Sequence, residues 1–226
     1  MIKTIKRYLK SSPFLYFNLN ILNPNFRCLR ARKSYDLVLE GFPRSANSFA
    51  AYTIFYSQKS GFKMGHHLHA PAHLRYAVKN RIPCLVIIRE PLGAVSSLII
   101  RNKCDPKNAL LDYISFMKVS LALSDSIVFA NFNDIISGKI GVKVMEINQR
   151  FDVALAIPEN TPNERIWVEE NIKNWNKVNE AGDQNMLAMP SETKKNRRDE
   201  AVEQLKRNAE IVEEAQELYK ALSQLV

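Results

Sequence analysis

Arg44, Ser45 and Ser48 lie close together where an apolar run ends, in the stretch Leu37-Val-Leu-Glu-Gly-Phe-Pro-Arg-Ser-Ala-Asn-Ser-Phe49. Leu37–Leu39 reads as a buried strand, and residues 46–56 read as a helix with Ser45 or Asn47 suited to cap it. A strand that turns sharply into a helix directs free backbone N–H groups at one point, and the helix dipole adds positive potential there. With a guanidinium and two hydroxyls in the same turn, the chemistry favoured is the binding of a phosphate or sulfate group.

The common nucleotide loop, G-x-x-x-x-G-K-[ST], needs a second glycine followed by lysine. Here Ala46, Asn47 and Ser48 occupy that region and the cation comes early. The turn resembles instead the 5′-phosphosulfate loop of sulfotransferases that use 3′-phosphoadenosine 5′-phosphosulfate. That loop reads Tyr/Phe-Pro-Lys/Arg-Ser-Gly-Thr-Thr/Ser-Trp/Phe. Phe42-Pro43-Arg44-Ser45 and Ser48-Phe49 fit it, whereas Ala46 and Asn47 depart from it. The resemblance implies that residues 44–49 (Arg44, Ser45, Ala46, Asn47, Ser48 and Phe49) surround the donor's 5′-phosphosulfate.

A second strand-to-helix segment follows. Cys84–Ile88 is an apolar run of buried-strand length, Arg89 stands at its end, and Pro91 suits a first helical turn. In open α/β sheets, ligands bind beyond the carboxyl ends of the strands, so Arg44 and Arg89 belong to one edge. A bland alternative for Arg89 is an ion pair with Glu90. The sulfotransferase element Arg-x-Pro-x-x-x-x-x-Ser is matched by Arg89, Pro91 and Ser97, with Ser96 as a neighbour that could substitute. The resemblance assigns Arg89 and Ser97 to the donor's 3′-phosphate.

All four histidines fall in His66-His-Leu-His-Ala-Pro-Ala-His73. Imidazole titrates near neutral pH, which suits a general base better here than a metal ligand. Cys28, Cys84 and Cys104 show no paired spacing, and no H-E-x-x-H is present. Many cytosolic sulfotransferases carry Thr-His-Leu-Pro upstream of the 3′-phosphate strand. His67-Leu68 stands in the comparable place, so the resemblance favours His67 as the base, with His66 and His69 as rivals. A polar loop without chemistry is the competing reading for each histidine. In the implied reaction Arg44 and the loop N–H groups stabilise the departing 5′-phosphate, and His67 takes the acceptor's proton. No metal is required. Arginine does not release its proton, so Arg44 acts as an electrostatic clamp rather than a general acid.

These groups need a scaffold. The chain has 226 residues and 46% hydrophobic content, enough for one sizeable core. The segments read strand–helix–strand–helix–helix–strand–helix, which predicts an α/β fold with a mostly parallel central sheet of about four to five strands flanked by helices. Taken with the resemblance, this is a three-layer P-loop-like fold over residues 35–226. Helices are expected over 108–123, 140–151, 164–179 and 201–222, and a short strand over 126–130. Asn131-Phe-Asn-Asp-Ile-Ile136 resembles a turn at the family's nucleotide edge. Lys194, Lys195, Arg197 and Arg198 could cover the 3′-phosphate, although the family's Arg-Lys-Gly form is missing.

Residues 1–34 form a separate basic segment. They carry eight basic and no acidic residues, and so supply +8 of the chain's net +9. The rest is nearly balanced, which excludes a general nucleic-acid binder. Ile2, Ile5 and Leu9 recur at helical spacing among Lys3, Lys6, Arg7 and Lys10, and Pro13 breaks the pattern. Residues 1–24 fit either a helix packed on the domain or a peripheral contact with anionic lipid. Scattered cysteines and the lack of a long apolar stretch lead to the expectation of a cytoplasmic protein, peripheral to the membrane in the second case.

The overall expectation is sulfuryl transfer from 3′-phosphoadenosine 5′-phosphosulfate to a hydroxyl or amine of a carbohydrate, lipid or small metabolite. An ATP-dependent small-molecule kinase and a non-catalytic nucleotide-binding protein of the same fold stay open. Acceptor identity and oligomeric state are not encoded in any motif.

Overall fold

A computed structural model describes the backbone of residues 2–179 and 193–226 and the side chains of 3–178 and 197–226. Three short helices come first, α1 (Ile2–Ser11), α2 (Pro13–Leu19) and α3 (Pro24–Leu29). The α/β part then runs β1 (Leu37–Gly41), α4 (Asn47–Ser57), β2 (Met64–His66), α5 (Pro71–Lys79), β3 (Cys84–Ile88), α6 (Pro91–Asn102), α7 (Pro106–Ala122) and β4 (Val128–Asn131). It ends in α8 (Phe132–Ile136), α9 (Ile140–Phe151), α10 (Pro162–Asn179), α11 (Thr193–Lys206) and α12 (Ala209–Ser223). Proline opens α2, α3, α5, α6, α7 and α10. Its fixed φ suits a first helical position, where an N–H would lack an intrahelical partner anyway.

The four strands form one all-parallel sheet in the order β2-β1-β3-β4. Side chains alternate across it as the pleat requires. Leu37, Leu39, Leu85, Ile87, Val128 and Ala130 face a core layer that includes Ile54 of α4 and Val144 of α9. Val38, Val86, Ile88 and Phe129 face the opposite layer, with Leu74 of α5, Val95 of α6 and Tyr113 of α7. This is the expected three-layer α/β arrangement. Helical crossovers cover both faces, which is why the strands read as continuous apolar runs.

The chain leaves β1 toward β2 on one side and returns to β3 on the other. The sheet therefore changes direction between β1 and β3, where a crevice opens at the carboxyl ends. Gly41 pairs with Ile87, so the turns that follow β1 and β3 emerge side by side.

One expectation needs correction. The single helix over 201–222 is two helices, α11 and α12, broken at Arg207 and Asn208. The break lets Ala201 and Leu205 pack on the core beside α6, while Val212, Ala215 and Leu222 line α7. The histidine stretch runs from the last residue of a strand, β2, through a loop over 67–70 into the first turn of a helix, α5. β2 has only three residues and no apolar run, so no period-2 signal marks it.

Candidate functional site

The turn after β1 is built by close approach. A side chain at Gly41 would meet Asn47 Oδ1 and the Ile87 carbonyl, each at 2.7 Å, so only glycine lets α4 start this near β3. Asn47 Nδ2 donates to the Phe42 carbonyl at 3.0 Å and closes the turn. Arg44 and Ala46 both adopt left-handed backbone, with φ of 71° and 64°. Turns with left-handed residues are the source of anion-binding nests of N–H groups.

The expected cap on α4 is absent. Ala46 occupies the cap position and no side chain caps the helix. The Ser45 hydroxyl is buried without a partner among the described residues, as is Asn47 Oδ1. A buried hydroxyl left unsatisfied costs about 1–3 kcal/mol, which is retained where a ligand completes the site. Phe49 is half-buried against the core beneath α4, so its contribution to the turn is its backbone.

The two sequence motifs meet at this edge. Arg44 Nε donates to Ser97 Oγ at 3.0 Å, and the Arg89 guanidinium donates through Nη1 to the Arg44 carbonyl. The Arg89 guanidinium also lies over the Phe132 ring, 3.9 Å from its centroid. Its own carbonyl accepts from the buried Tyr113 hydroxyl at 2.7 Å. Burial, then Arg198, lower the Arg89 pKa to about 10, against the opposing effect of Glu90. Arg89 therefore stays charged at neutral pH. Ser96 is buried and turned back to the Gly93 carbonyl.

Beside Arg89 is a cavity of about 240 Å³ whose walls include Asn131, Phe132, Arg198 and Tyr219. The Tyr219 hydroxyl donates to Asn131 Oδ1 at 3.2 Å. Arg198, on α11, thus shares a cavity with Arg89. Arg197 lies next to it on the same helix and is exposed. The side chains of Lys194 and Lys195 lie outside the described residues. Tyr219 carries no signal in the sequence, where it looks like one more member of an amphipathic stripe.

The histidines separate into two roles. His73 is fully buried and both ring nitrogens are engaged. Its Nδ1 donates to Glu40 Oε1 at 2.7 Å, and its Nε2 accepts from the Ala31 amide at 3.0 Å. Glu40, itself fully buried in β1, also accepts from the amides of Leu68 and His69, each at 2.9 Å. Burial pushes the Glu40 carboxyl up, but the His73 bond and the remaining partners outweigh it and hold the group below the ordinary carboxylate range. Glu40 and His73 thus fasten the loop that carries His67 and His69, two residues with left-handed φ of 58° and 48°. Glu40 is marked in the sequence only as a carboxylate inside the otherwise apolar run Leu37–Gly41.

His69 Nδ1 donates to the Gly41 carbonyl at 2.8 Å. His66 stands edge-on to Phe55, and its Nδ1 shares a hydrogen bond with Nδ1 of His67. His67 Nε2 lies 3.0 Å from Ser48 Oγ, in the first turn of α4. When His67 donates from Nδ1 to His66, Nε2 carries the lone pair and is the basic atom. Burial first, then His69, His66 and Arg101, push the His67 pKa well below its usual value. His66 falls to about 4 through burial, and His69 is lowered by burial despite Glu40. The three rings are therefore neutral at pH 7, as a proton acceptor must be. Arg101, four residues beyond Ser97 on α6, adds positive potential at His67 and His69 and was not singled out from the sequence.

Neither the protein-family models nor the curated proteins give a match to this chain.

Proposed function

We propose that the protein is a sulfotransferase that uses 3′-phosphoadenosine 5′-phosphosulfate and delivers the sulfuryl group to a hydroxyl or amine. The supporting observation is convergence. Three motifs meet through Arg44–Ser97, Arg89–Arg44 and Ser48–His67 contacts, 53, 45 and 19 residues apart in sequence, at the carboxyl edge of β1 and β3. The buried Ser45 hydroxyl, without a partner among the described residues, and the uncapped start of α4 fit a tetrahedral anion.

The donor, when bound, supplies an activated sulfuryl group and a phosphate leaving group. Arg44, Ser45 and the first N–H groups of α4 hold the 5′ end and stabilise the charge that grows there. Arg89 and Arg198, facing one cavity, suit a dianionic 3′-phosphate. Ser97 orients the Arg44 guanidinium. Neutral His67 Nε2 takes the proton of the acceptor, and Glu40 with His73 fixes the loop that carries it. Acceptors range over carbohydrates, lipids and small metabolites.

A kinase reading is less well supported, because ATP has no 3′-phosphate to answer the Arg89–Arg198 pair. Calorimetric titration with 3′-phosphoadenosine 5′-phosphate, with ADP as control, tests the choice. The expected result is micromolar binding of the first, weak binding of ADP, and a loss of about 30-fold in affinity in Arg89→Ala, the scale of one charged hydrogen bond. No binding, or equal binding of ADP, would overturn the proposal.

A further inference from the structure

The N-terminal helices have two unlike faces. One is packed. Arg7 Nε lies 2.7 Å from Asp112 and Nη2 lies 2.8 Å from Asn108, tying α1 to α7. Phe17 and Phe26 are buried with Leu68 and Ala70, and Phe17 stands edge-on to Tyr76 of α5. Arg30 covers the Phe17 ring at 4.3 Å.

The other face is apolar and open. Tyr8 is 70%, Phe14 76%, Leu19 66% and Leu22 89% exposed, and Ile5 and Ile21 are exposed as well. All six fall within residues 5–22, the same segment that carries Lys3, Lys6 and Lys10, each exposed. On α1, Ile5 and Tyr8 form an apolar arc, and Lys6, Lys10 and Lys3 lie roughly 100–160° round the helix from Ile5. Exposed apolar side chains concentrated in this way mark an interaction surface rather than ordinary surface scatter.

From these observations we propose that α1, α2 and the turn after α2 dock on an anionic lipid bilayer. The apolar side chains enter the headgroup boundary and the lysines face the phosphates. Charge selects this occupant over a second copy of the chain. A symmetric dimer through this face would bring together two segments that each carry Lys3, Lys6, Arg7 and Lys10 and no acidic residue. The contact is peripheral, since no described helix is long and apolar enough to cross a membrane. Through Phe17 and Phe26, which pack on Leu68 and Ala70, the segment adjoins the histidine loop. The inference does not depend on the sulfotransferase reading.

Removing the segment would uncover Leu68 and Ala70, so point variants of the full chain are the cleaner probe. Flotation with vesicles of phosphatidylcholine alone, or mixed with phosphatidylglycerol, measures the partition. Binding is expected to the mixed vesicles and to weaken with salt. Lys3→Glu with Lys6→Glu should lower the partition by at least about 30-fold, the scale of losing two lysines before the repulsion of the new carboxylates is added. Phe14→Ser with Leu22→Ser should lower it by at least about 10-fold. Unchanged thermal melting of both double variants would establish that the fold is intact. Absence of binding, or binding indifferent to both pairs of substitutions, would overturn the proposal. So would a lipid-free dimer that Phe14→Ser with Leu22→Ser dissolves, which would assign the face to a second copy.

Discussion

The turns after β1 and β3 lead from neighbouring parallel strands into helices, yet they treat the first helical N–H groups in opposite ways. At α6 the Glu90 carboxylate caps the helix, accepting from Leu92 N at 2.9 Å and Gly93 N at 2.7 Å. At α4 no side chain caps the helix, and Ser45, placed to do so, leaves its hydroxyl without a partner among the described residues. The second turn spends its donors on the fold and presents only side chains, Arg89 and Ser97, to the crevice. The first holds backbone, hydroxyl and guanidinium together at one point. A helix terminus therefore becomes a candidate anion site through the lack of an internal anion, and motif spacing alone does not separate the two cases.

The largest expected difference between the turns is in turnover. On the proposed sulfotransferase reading, Arg44→Ala should lower turnover by at least ~100-fold, the scale of one transition-state donor. Arg89→Ala should act mainly on donor affinity. Steady-state kinetics with varied donor concentration distinguishes them. Equal loss of turnover in both variants would erase the division of labour between the turns.

Proton linkage separates both turns from the histidine loop. The pKa of His66, His67 and His69 is lowered in the folded chain, so below about pH 6.5 the unfolded chain takes up protons first. Stability should be level above that pH and fall as pH drops toward about 4, with His66 alone contributing about 3 kcal/mol. Glu40, whose pKa is lowered, adds a further loss below the ordinary carboxylate range. Urea melts across this pH range check the slope. His66→Phe should flatten it, and a slope unchanged by that substitution would mean the loop is not its source.

The capping contrast predicts a smaller, paired effect on stability. Glu90→Ala should destabilise the protein by about 1–2 kcal/mol, as loss of a cap does. Ser45→Ala should leave stability unchanged or slightly raised, because the hydroxyl it removes is buried and unsatisfied. The same Ser45→Ala variant should bind 3′-phosphoadenosine 5′-phosphosulfate more weakly. Denaturant melts and calorimetry together measure both quantities. A clear stability loss in Ser45→Ala would show that its hydroxyl serves the fold.

The sequence carried the parts of this comparison that are local. The apolar runs of β1 and β3, Pro91 at the start of α6, and Arg44 and Arg89 at strand ends all follow from short-range pattern. Sheet order does not, and it is the order β2-β1-β3-β4 that makes the two turns neighbours. Glu40 and His73 escaped because their meaning lies in a contact between positions 33 residues apart. Taken singly, one looks like a charge at a strand end and the other like a fourth histidine. Arg101 and Tyr219 belong to helices whose apolar stripes explain them without any site. The break at Asn208 was hidden because apolar spacing continues through it while the packing partner changes from α6 to α7.

The smallest effect concerns Ala46, where this chain departs from the glycine of the loop it resembles. Ala46 is left-handed, with φ of 64°, a conformation that costs a residue bearing a Cβ roughly 1–2 kcal/mol. Glycine removes that strain but adds freedom to the unfolded chain, worth about 0.4–1 kcal/mol in the other direction. Ala46→Gly should therefore stabilise the protein by about 0.5–1 kcal/mol and leave donor affinity nearly unchanged. Thermal melts with and without 3′-phosphoadenosine 5′-phosphate check both. If glycine destabilised the protein, the left-handed turn would not be the conformation held in solution, and the uncapped first turn of α4 would lose its role as the anion site. Pairing Ala46→Gly with Lys103→Gly, the left-handed residue at the far end of α6, supplies the control. That position has the same backbone and no bearing on the crevice, so its gain should be of similar size whether or not ligand is present.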